Sequence, residues 1–382
     1  MTNISDPIVP AQHIAQQESR DDGAILEETY RIVRSCWLSR GLWILWAPRQ
    51  EGDELRFKGW AIPPRDLPMP LRFFVNGIEC SITEQPRNEA SDLIVARYGL
   101  RGDPSQYTFG CAVPIERLGQ TQDLRVEFRP GSGRELSPYQ DWYLRLTPGL
   151  QADSNRRLRV AGTDHAVMFE TIGLSDCLAI RRALREYFNR DYADFQAILD
   201  WGCGCARVAR SVSEFAPQKL TGIDIDPDNI KWCKQNVALA EFESIALHPP
   251  TRFGDETFDL VYGISVFSHL GQAEQDRWLA ELQRITKSDG AVLMSIQGEI
   301  AFFRADSDFR RFLALEKEGF YVYGRCADLD EVLPEVKESE YYKNVFHSRR
   351  YIYEHWGRYF EIVDVIEAAF TGYQDLVIMR RR

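Results

Sequence analysis

One stretch of the chain limits its fold more than any other. In Ile198-Leu199-Asp200-Trp201-Gly202-Cys203-Gly204-Cys205-Ala206-Arg207 an apolar run stops on an acidic residue and gives way to glycines. A short continuous apolar run fits a strand buried on both faces, and such strands belong to parallel sheets covered by helices. Gly202 and Gly204 allow a tight turn because no Cβ stands in the way. Apolar residues at helical spacing follow, from Arg207 to Phe215. A strand, a glycine turn and a helix in this order let a nucleotide-like ligand come close to the main chain.

The same alternation continues downstream. Strands are expected at Ala197 to Asp200, Leu220 to Asp224, Phe258 to Tyr262 and Ala291 to Ile296, and helices at Arg207 to Phe215, Pro227 to Ala238 and Gln272 to Thr286. Ser288-Asp289-Gly290 is expected to stop the last helix before its strand. Near the end, Tyr359 to Ile366 and Asp375 to Met379 flank Thr371-Gly372, which predicts an antiparallel hairpin at a sheet edge. The second strand closes on Asp224, 24 positions after Asp200. An ionised carboxylate there offers only acceptors, which suits the two donors of a ribose diol. Asp226, just before Pro227, reads instead as a helix cap. A dinucleotide fingerprint needs Gly or Ala where Arg207 stands, which weighs against a nicotinamide cofactor.

With these residues in order, the segment from about Gly162 to Arg382 resembles a class I S-adenosylmethionine-dependent methyltransferase. The family's first motif, Asp-x-Gly-x-Gly-x-Gly, falls on Asp200, Gly202, Gly204 and Ala206, departing only at the last glycine. Its acidic second motif falls on Asp224, and its fourth-strand motif on Phe258 to Leu270. The approach to its fifth strand falls on Arg284 to Gly290. The resemblance implies an α/β fold with a Rossmann-like seven-stranded sheet and S-adenosylmethionine as cofactor. It assigns Asp200, Gly202, Cys203 and Gly204 to the methionine end and the turn, and Asp224 and Ile225 to ribose and adenine. Leu247, beside Ala246, is assigned to the adenine side, and Gly263 to Ser265 to the wall from the fourth strand. The motif Asn-Pro-Pro-Tyr, expected of many amino-group methylators of nucleic acid or protein, is missing, and Gly263-Ile264-Ser265-Val266 stands there instead.

Upstream the pattern differs. After a helical leader around Ala24 to Leu38, short strands separated by turns are expected at Leu55 to Ala61, Leu71 to Val75, Ile78 to Ile82, Leu93 to Tyr98, Tyr107 to Val113 and Leu124 to Phe128. Asn76-Gly77 is a hairpin signal, since both residues tolerate the positive φ of a type I′ turn. Residues 1–149 therefore read as a mainly antiparallel β accessory domain, and residues 150–382 as the methyltransferase domain. The first half loosely resembles the β-rich modules attached to enzymes of surface-glycan synthesis. Trp60, Phe73, Phe74 and Tyr107 either stack on sugars or, the preferred reading, fill the sandwich core.

Charge narrows the acceptor. With 46 Lys and Arg against 57 Asp and Glu the net charge is −11, so no basic field holds a nucleic-acid backbone. The longest apolar run, Cys36 to Pro48, falls short of the roughly 20 residues of a membrane span, and the polar start has no secretory pattern. Eight cysteines without C-x-x-C or Cys/His zinc spacing read as reduced thiols, with no metal expected. The expected location is the cytoplasm, and the expected acceptor a small molecule or glycan, methylated on oxygen.

Two histidines are candidate bases for a hydroxyl acceptor. His269 follows the fourth strand, where the plainer alternative is packing against Trp278, and His347 lies in an insertion before the final hairpin. Gln297 and Gln374-Asp375 are polar groups expected near the same rim. Gly162 to His165, with Phe169, belongs to a segment that folds over the cofactor, or else Thr163 or Asp164 simply caps a helix. Two readings from other classes stand beside the methyltransferase, a non-catalytic binding module that keeps the fold and an NAD-dependent oxidoreductase.

Overall fold

The structure, a computed structural model, describes residues 42–46, 48–62, 71–84, 89–98, 103–119, 123–130, 137–145, 149–305, 308–325, 336 and 341–382. The expected helix at Ala24 to Leu38 lies outside them. In the first half the strands are β1 (Leu42–Leu45), β2 (Arg49–Glu51), β3 (Glu54–Ile62), β4 (Leu71–Val75), β5 (Ile78–Cys80), β6 (Thr83–Glu84), β7 (Thr108–Pro114), β8 (Asp123–Pro130) and β9 (Trp142–Arg145). They form two antiparallel sheets, β1-β3-β7-β6 with β2 on β3, and β5-β4-β8-β9. Alternate residues of both sheets, among them Phe57, Phe73, Phe109, Val126 and Phe128, meet in one core. Phe73 is therefore core, while Phe74 is buried beneath the guanidinium groups of Arg72 and Arg129. Asn76 and Gly77 turn β4 into β5 with φ of 50° and 76°, and the Asn76 side chain accepts a hydrogen bond from the Arg125 amide. Leu93 to Tyr98, expected as a strand, belongs to helix α1 (Glu89–Tyr98), with Ile94 buried against Trp60 and Ile62. The β-branched pair Ile94-Val95 suggested a strand, but Ala and Leu around it are good helix formers.

The second half adds helices α2 (Ser154–Ala161), α3 (Ala166–Phe188), α4 (Ala209–Phe215), α5 (Pro227–Asn236) and α6 (Gln272–Ile285). Its strands are β10 (Ile198–Trp201), β11 (Leu220–Asp224), β12 (Ala240–Ser244), β13 (Phe258–Gly263) and β14 (Thr286–Ile296). An insertion follows, with α7 (Glu299–Ala305), α8 (Phe309–Glu318), β15 (Phe320–Arg325), β16 (Lys343–His347) and α9 (Arg349–His355), before the final hairpin β17 (Glu361–Phe370) and β18 (Gln374–Arg380). The sheet order is β12-β11-β10-β13-β14-β18-β17, parallel through β14, with β18 antiparallel to β14 and β17 antiparallel to β18. The apolar runs are continuous because both faces are covered. Ile198, Leu260 and Leu293 face one core, while Leu199, Val261 and Val292 face the other.

Ser288 to Gly290 does not separate helix from strand as expected. Helix α6 ends at Ile285, and the Thr286 hydroxyl donates to the Leu282 carbonyl. The strand begins at once, opposite Phe258, with an irregularity in register before Ala291. Helix α3 is shared between the halves. Val167, Met168 and Ile172 pack on the sandwich core, whereas Cys177, Ile180, Ala183 and Leu184 belong to a core beneath the large sheet. The Tyr143 amide on β9 donates to the Ser175 hydroxyl of the same helix.

Candidate active site

From β10 the chain runs outward to β11 and β12, then returns to β13 on the other side. The carboxyl ends of β10 and β13 thus flank the point where connections part in opposite directions, the usual ligand crevice of an open α/β sheet. A cleft of about 680 Å³ lies there. Its floor is the turn after β10. Gly202 has φ of +75°, and a Cβ on it would stand 2.3 Å from the Val266 side chain. Gly204, at φ +53°, donates its N–H to Asp224 at 2.7 Å, and a Cβ there would meet Val160 at 2.9 Å. Ala206, at the family's third glycine position, is fully buried with φ of 60°, a left-handed conformation that costs a residue with a Cβ roughly 1 kcal/mol. Gly173 on α3 lets that helix lie against the Arg207 carbonyl, 2.2 Å from where its Cβ would stand.

Four carboxylates line this end. Asp200 accepts from the Tyr262 hydroxyl at 3.0 Å, and burial pushes its pKa up to about 7. Asp224 accepts from the amides of Gly204 at 2.7 Å and Asp226 at 2.8 Å, one on each oxygen, and burial raises it to about 6. The Ile225 amide also favours the ionised form, and since an ionised carboxylate has about four lone-pair sites, acceptor capacity remains for a ligand. Asp226 caps α5 as expected, accepting from the amides of Asp228 and Asn229, and it pairs with Arg159 at 3.1 Å. Asp176, its pKa raised by burial, pairs with Arg207, and both side chains are buried. Both arginines on the cleft wall are thus committed to acids.

The other end of the cleft lies over β13, β14 and β18. Ser265, at φ 61°, donates its amide to the Ser295 hydroxyl at 2.7 Å. The hydroxyls of Ser265 and Ser295 both donate to Gln374 Oε1, at 3.1 and 2.7 Å. His269 stacks on Tyr342 with ring centroids 4.2 Å apart, and its Nδ1 lies 3.0 Å from the Lys343 carbonyl. A carbonyl only accepts, so the proton sits on Nδ1 and Nε2 is the basic nitrogen.

The structure brings Asp200, Gly202, Cys203, Gly204, Asp224, Ile225, Ser265 and His269 to one cleft. Three of the residues assigned to the base or to the cofactor lie elsewhere. His347 is fully buried among Phe320, Tyr351 and Trp356, with Nε2 3.1 Å from Gln275 Oε1, and burial lowers its pKa to about 3. That imidazole is a neutral core group away from the cleft and cannot serve as its base. Gly263 does not line the cleft, because its place is set by packing against Met294 and Trp201. Leu247 packs in the core beside α6 and takes the Tyr341 hydroxyl on its carbonyl, and Ile245 forms the wall instead. His269 rests on Tyr342, and the cap of α3 is His165, whose Nδ1 accepts from the Met168 amide. Gln297 and Asp375 are buried and bonded to Tyr373 and to the Ala368 amide, leaving Gln374 at the rim. Sequence reasoning missed Arg159, Val160, Ile245, Tyr341 and Tyr342. Only the amphipathic character of α2 signalled any of them.

Three observations fit S-adenosylmethionine, which carries a net positive charge and a ribose diol. The turn leaves a cradle that a Cβ would fill, the carboxylate ending β11 has acceptor capacity left, and acids outnumber bases on that wall. Residues 199–294 match the family model of a methyltransferase domain. The cleft and this match define an enzyme, an S-adenosylmethionine-dependent methyltransferase. Among solved structures, the chain is similar to a protein of Pyrococcus horikoshii OT3, at 18% identity over 55% of this chain and 90% of that one, with a TM-score of 0.38. It is also similar to an S-adenosylmethionine-dependent methyltransferase from Mesorhizobium loti, at 14% identity over 48% and 90%, TM-score 0.35. A third is a methyltransferase of the same cofactor class from Methanosarcina mazei, at 18% over 49% and 92%, TM-score 0.34.

Proposed function

We propose that the enzyme methylates a hydroxyl of a small molecule or glycan, with His269 as general base. The observation that carries this reading is the bond from His269 Nδ1 to the Lys343 carbonyl, which fixes the ring on the cleft lining and makes Nε2 the basic nitrogen. When bound, S-adenosylmethionine supplies an electrophilic methyl group on a sulfonium. Asp224, with Ile225 beside it, holds the ribose and adenine. The turn of Gly202, Cys203 and Gly204 gives the methionine end close access to the backbone, and Asp200 faces its positive charge. Ser265 and Gln374 orient the acceptor.

We read residues 1–149 as an accessory domain to the methyltransferase domain at 150–382, and the loose resemblance of that sequence to the β-rich modules of glycan-synthesis enzymes favours a sugar acceptor. The six described cysteines, all buried and free, fit a reducing cytoplasm. Among the described residues no helix is long and apolar enough to cross a membrane. The test is His269→Gln, assayed for S-adenosylhomocysteine formation and for cofactor binding by calorimetry. Turnover is expected to fall by about 10²-fold or more, with cofactor affinity unchanged. Unchanged turnover overturns the base assignment.

A further inference from the structure

The two ends of the cleft differ in charge. Over β10 and β11 stand four carboxylates and two arginines, and the arginines are paired with Asp226 and Asp176. Over β13, β14 and β18 the described lining, including Ser265, His269, Tyr342, Tyr373 and Gln374, holds no Asp, Glu, Lys or Arg. Its polar atoms are held in one orientation. Gln374 Oε1 takes two serine hydroxyls, and Ser295 is itself held by the Ser265 amide. The amide therefore turns its carbonyl inward. Gln374 lines the cleft with a side chain that is 8% exposed, and with its oxygen on the two serines the group it has to offer a ligand is Nε2, a donor that cannot accept. His269 lines the same cleft, its ring fixed by the bond from Nδ1 to the Lys343 carbonyl.

A wall with fixed neutral donors and acceptors complements hydroxyl groups, each of which both donates and accepts. Among the described lining residues of this end, a carboxylate or phosphate meets no cationic side chain and an ammonium meets no carboxylate, so each is desolvated with little compensation. The described cation Arg304 lies over the Tyr373 ring and donates to the Gly372 carbonyl. Building on the methyltransferase reading above, we propose that the acceptor is an uncharged polyhydroxylated ring, a neutral glycosyl unit. Gln374 is the residue that selects it, by donating to an oxygen next to the one that is methylated.

The test uses the full chain with S-adenosylmethionine and a panel of probes. Uncharged methyl glycosides of the gluco, galacto, manno and deoxyhexose series are set against glucuronate, glucose 6-phosphate and glucosamine. Methyl transfer is expected to a neutral glycoside, with kcat/KM at least about tenfold above that of any charged probe. Gln374→Glu puts an acceptor and a charge where the donor stood. It is expected to lower kcat/KM for the neutral glycoside by about 100-fold or more. Gln374→Ala, which only removes the donor, is expected to lower it by about tenfold. Cofactor affinity by calorimetry is expected to stay within about threefold in both variants, which separates recognition of the acceptor from damage to the fold. Preferred methylation of a charged probe, or no transfer to any neutral glycoside by protein that binds the cofactor, overturns the proposal. A Gln374→Glu enzyme with unchanged preference overturns it as well. Failure of the wild-type protein to bind S-adenosylmethionine overturns the underlying methyltransferase reading instead.

Discussion

Asp224→Asn separates the cofactor role of this carboxylate from its structural role. In the folded protein its two oxygens accept from the amides of Gly204 and Asp226, and asparagine keeps one carbonyl oxygen for one of them. Losing a single hydrogen bond to a charged group costs about 1.5–3 kcal/mol. Against that, burial outweighs those bonds and raises the carboxyl from 3.8 to about 6, so carrying the charge is itself a cost to the fold that the variant no longer bears. The two effects oppose each other, and the thermal midpoint is expected to move by no more than a few degrees. Binding has no such offset. The variant loses two charge-assisted bonds from a ribose diol, about 3–6 kcal/mol in all, and every 1.4 kcal/mol is about tenfold. Calorimetric titration with S-adenosylmethionine and S-adenosylhomocysteine is expected to show a Kd at least about 100-fold weaker. A folded variant whose Kd stays within about threefold of wild type would refute the assignment of Asp224 to the ribose.

Other consequences follow from the same cleft. Asp200 has a folded pKa of about 7, above its ordinary 3.8, so the folded state keeps a proton that the unfolded chain releases. Stability of the unliganded protein is then expected to fall as pH rises through that window, and Asp200→Asn to flatten the decline in a thermal-midpoint profile. A cationic ligand favours the ionised form, so cofactor binding near neutral pH is expected to release protons, visible as a heat that varies with the buffer; no such variation would contradict the placement of Asp200 at the cation. Gly202→Ala forces a Cβ into the Val266 side chain at positive φ and is expected to abolish measurable cofactor binding and lower the thermal midpoint by several degrees. Arg207→Met leaves the buried Asp176 unpaired, at about 3–5 kcal/mol in a denaturant titration, and adding Asp176→Leu is expected to recover most of the loss.

The centre of the large sheet was legible because β10, β11, β13 and the second half of β14 are apolar runs covered on both faces, and β11 and β13 close on Asp224 and Gly263. The partly exposed edge strand β12 (Ala240–Ser244) carries no such run and was not expected. The run Leu220 to Asp224 matches strand β11 residue for residue. The glycine turn and Asp224 were readable for the same reason, since backbone geometry there restricts the residue type. Side-chain placement in the insertion was not readable. His347 and His269 are both histidines near polar neighbours in sequence, and only the packing of Phe320, Tyr351 and Trp356 sends one into the core. Likewise the cleft wall from α2 depends on where that helix docks. Its ion pairs from Arg156 and Arg159 to Asp228 and Asp226 join residues about seventy positions apart, beyond any local pattern.

The shared helix α3 acts as a mechanical beam. Val167 and Ile172 are seated in the sandwich, Ile172 and Asp176 are walls of the cleft, and about 15 Å of continuous helix spans the stretch. The helix is continuous between the two, so a tilt of the sandwich is expected to carry the back wall of the cofactor cleft with it. Cutting the chain ahead of residue 150 would also leave the stripe of Val167, Met168 and Ile172 facing water. The β-rich half is thus a buttress to the catalytic half, seated on the same helix that walls the cleft.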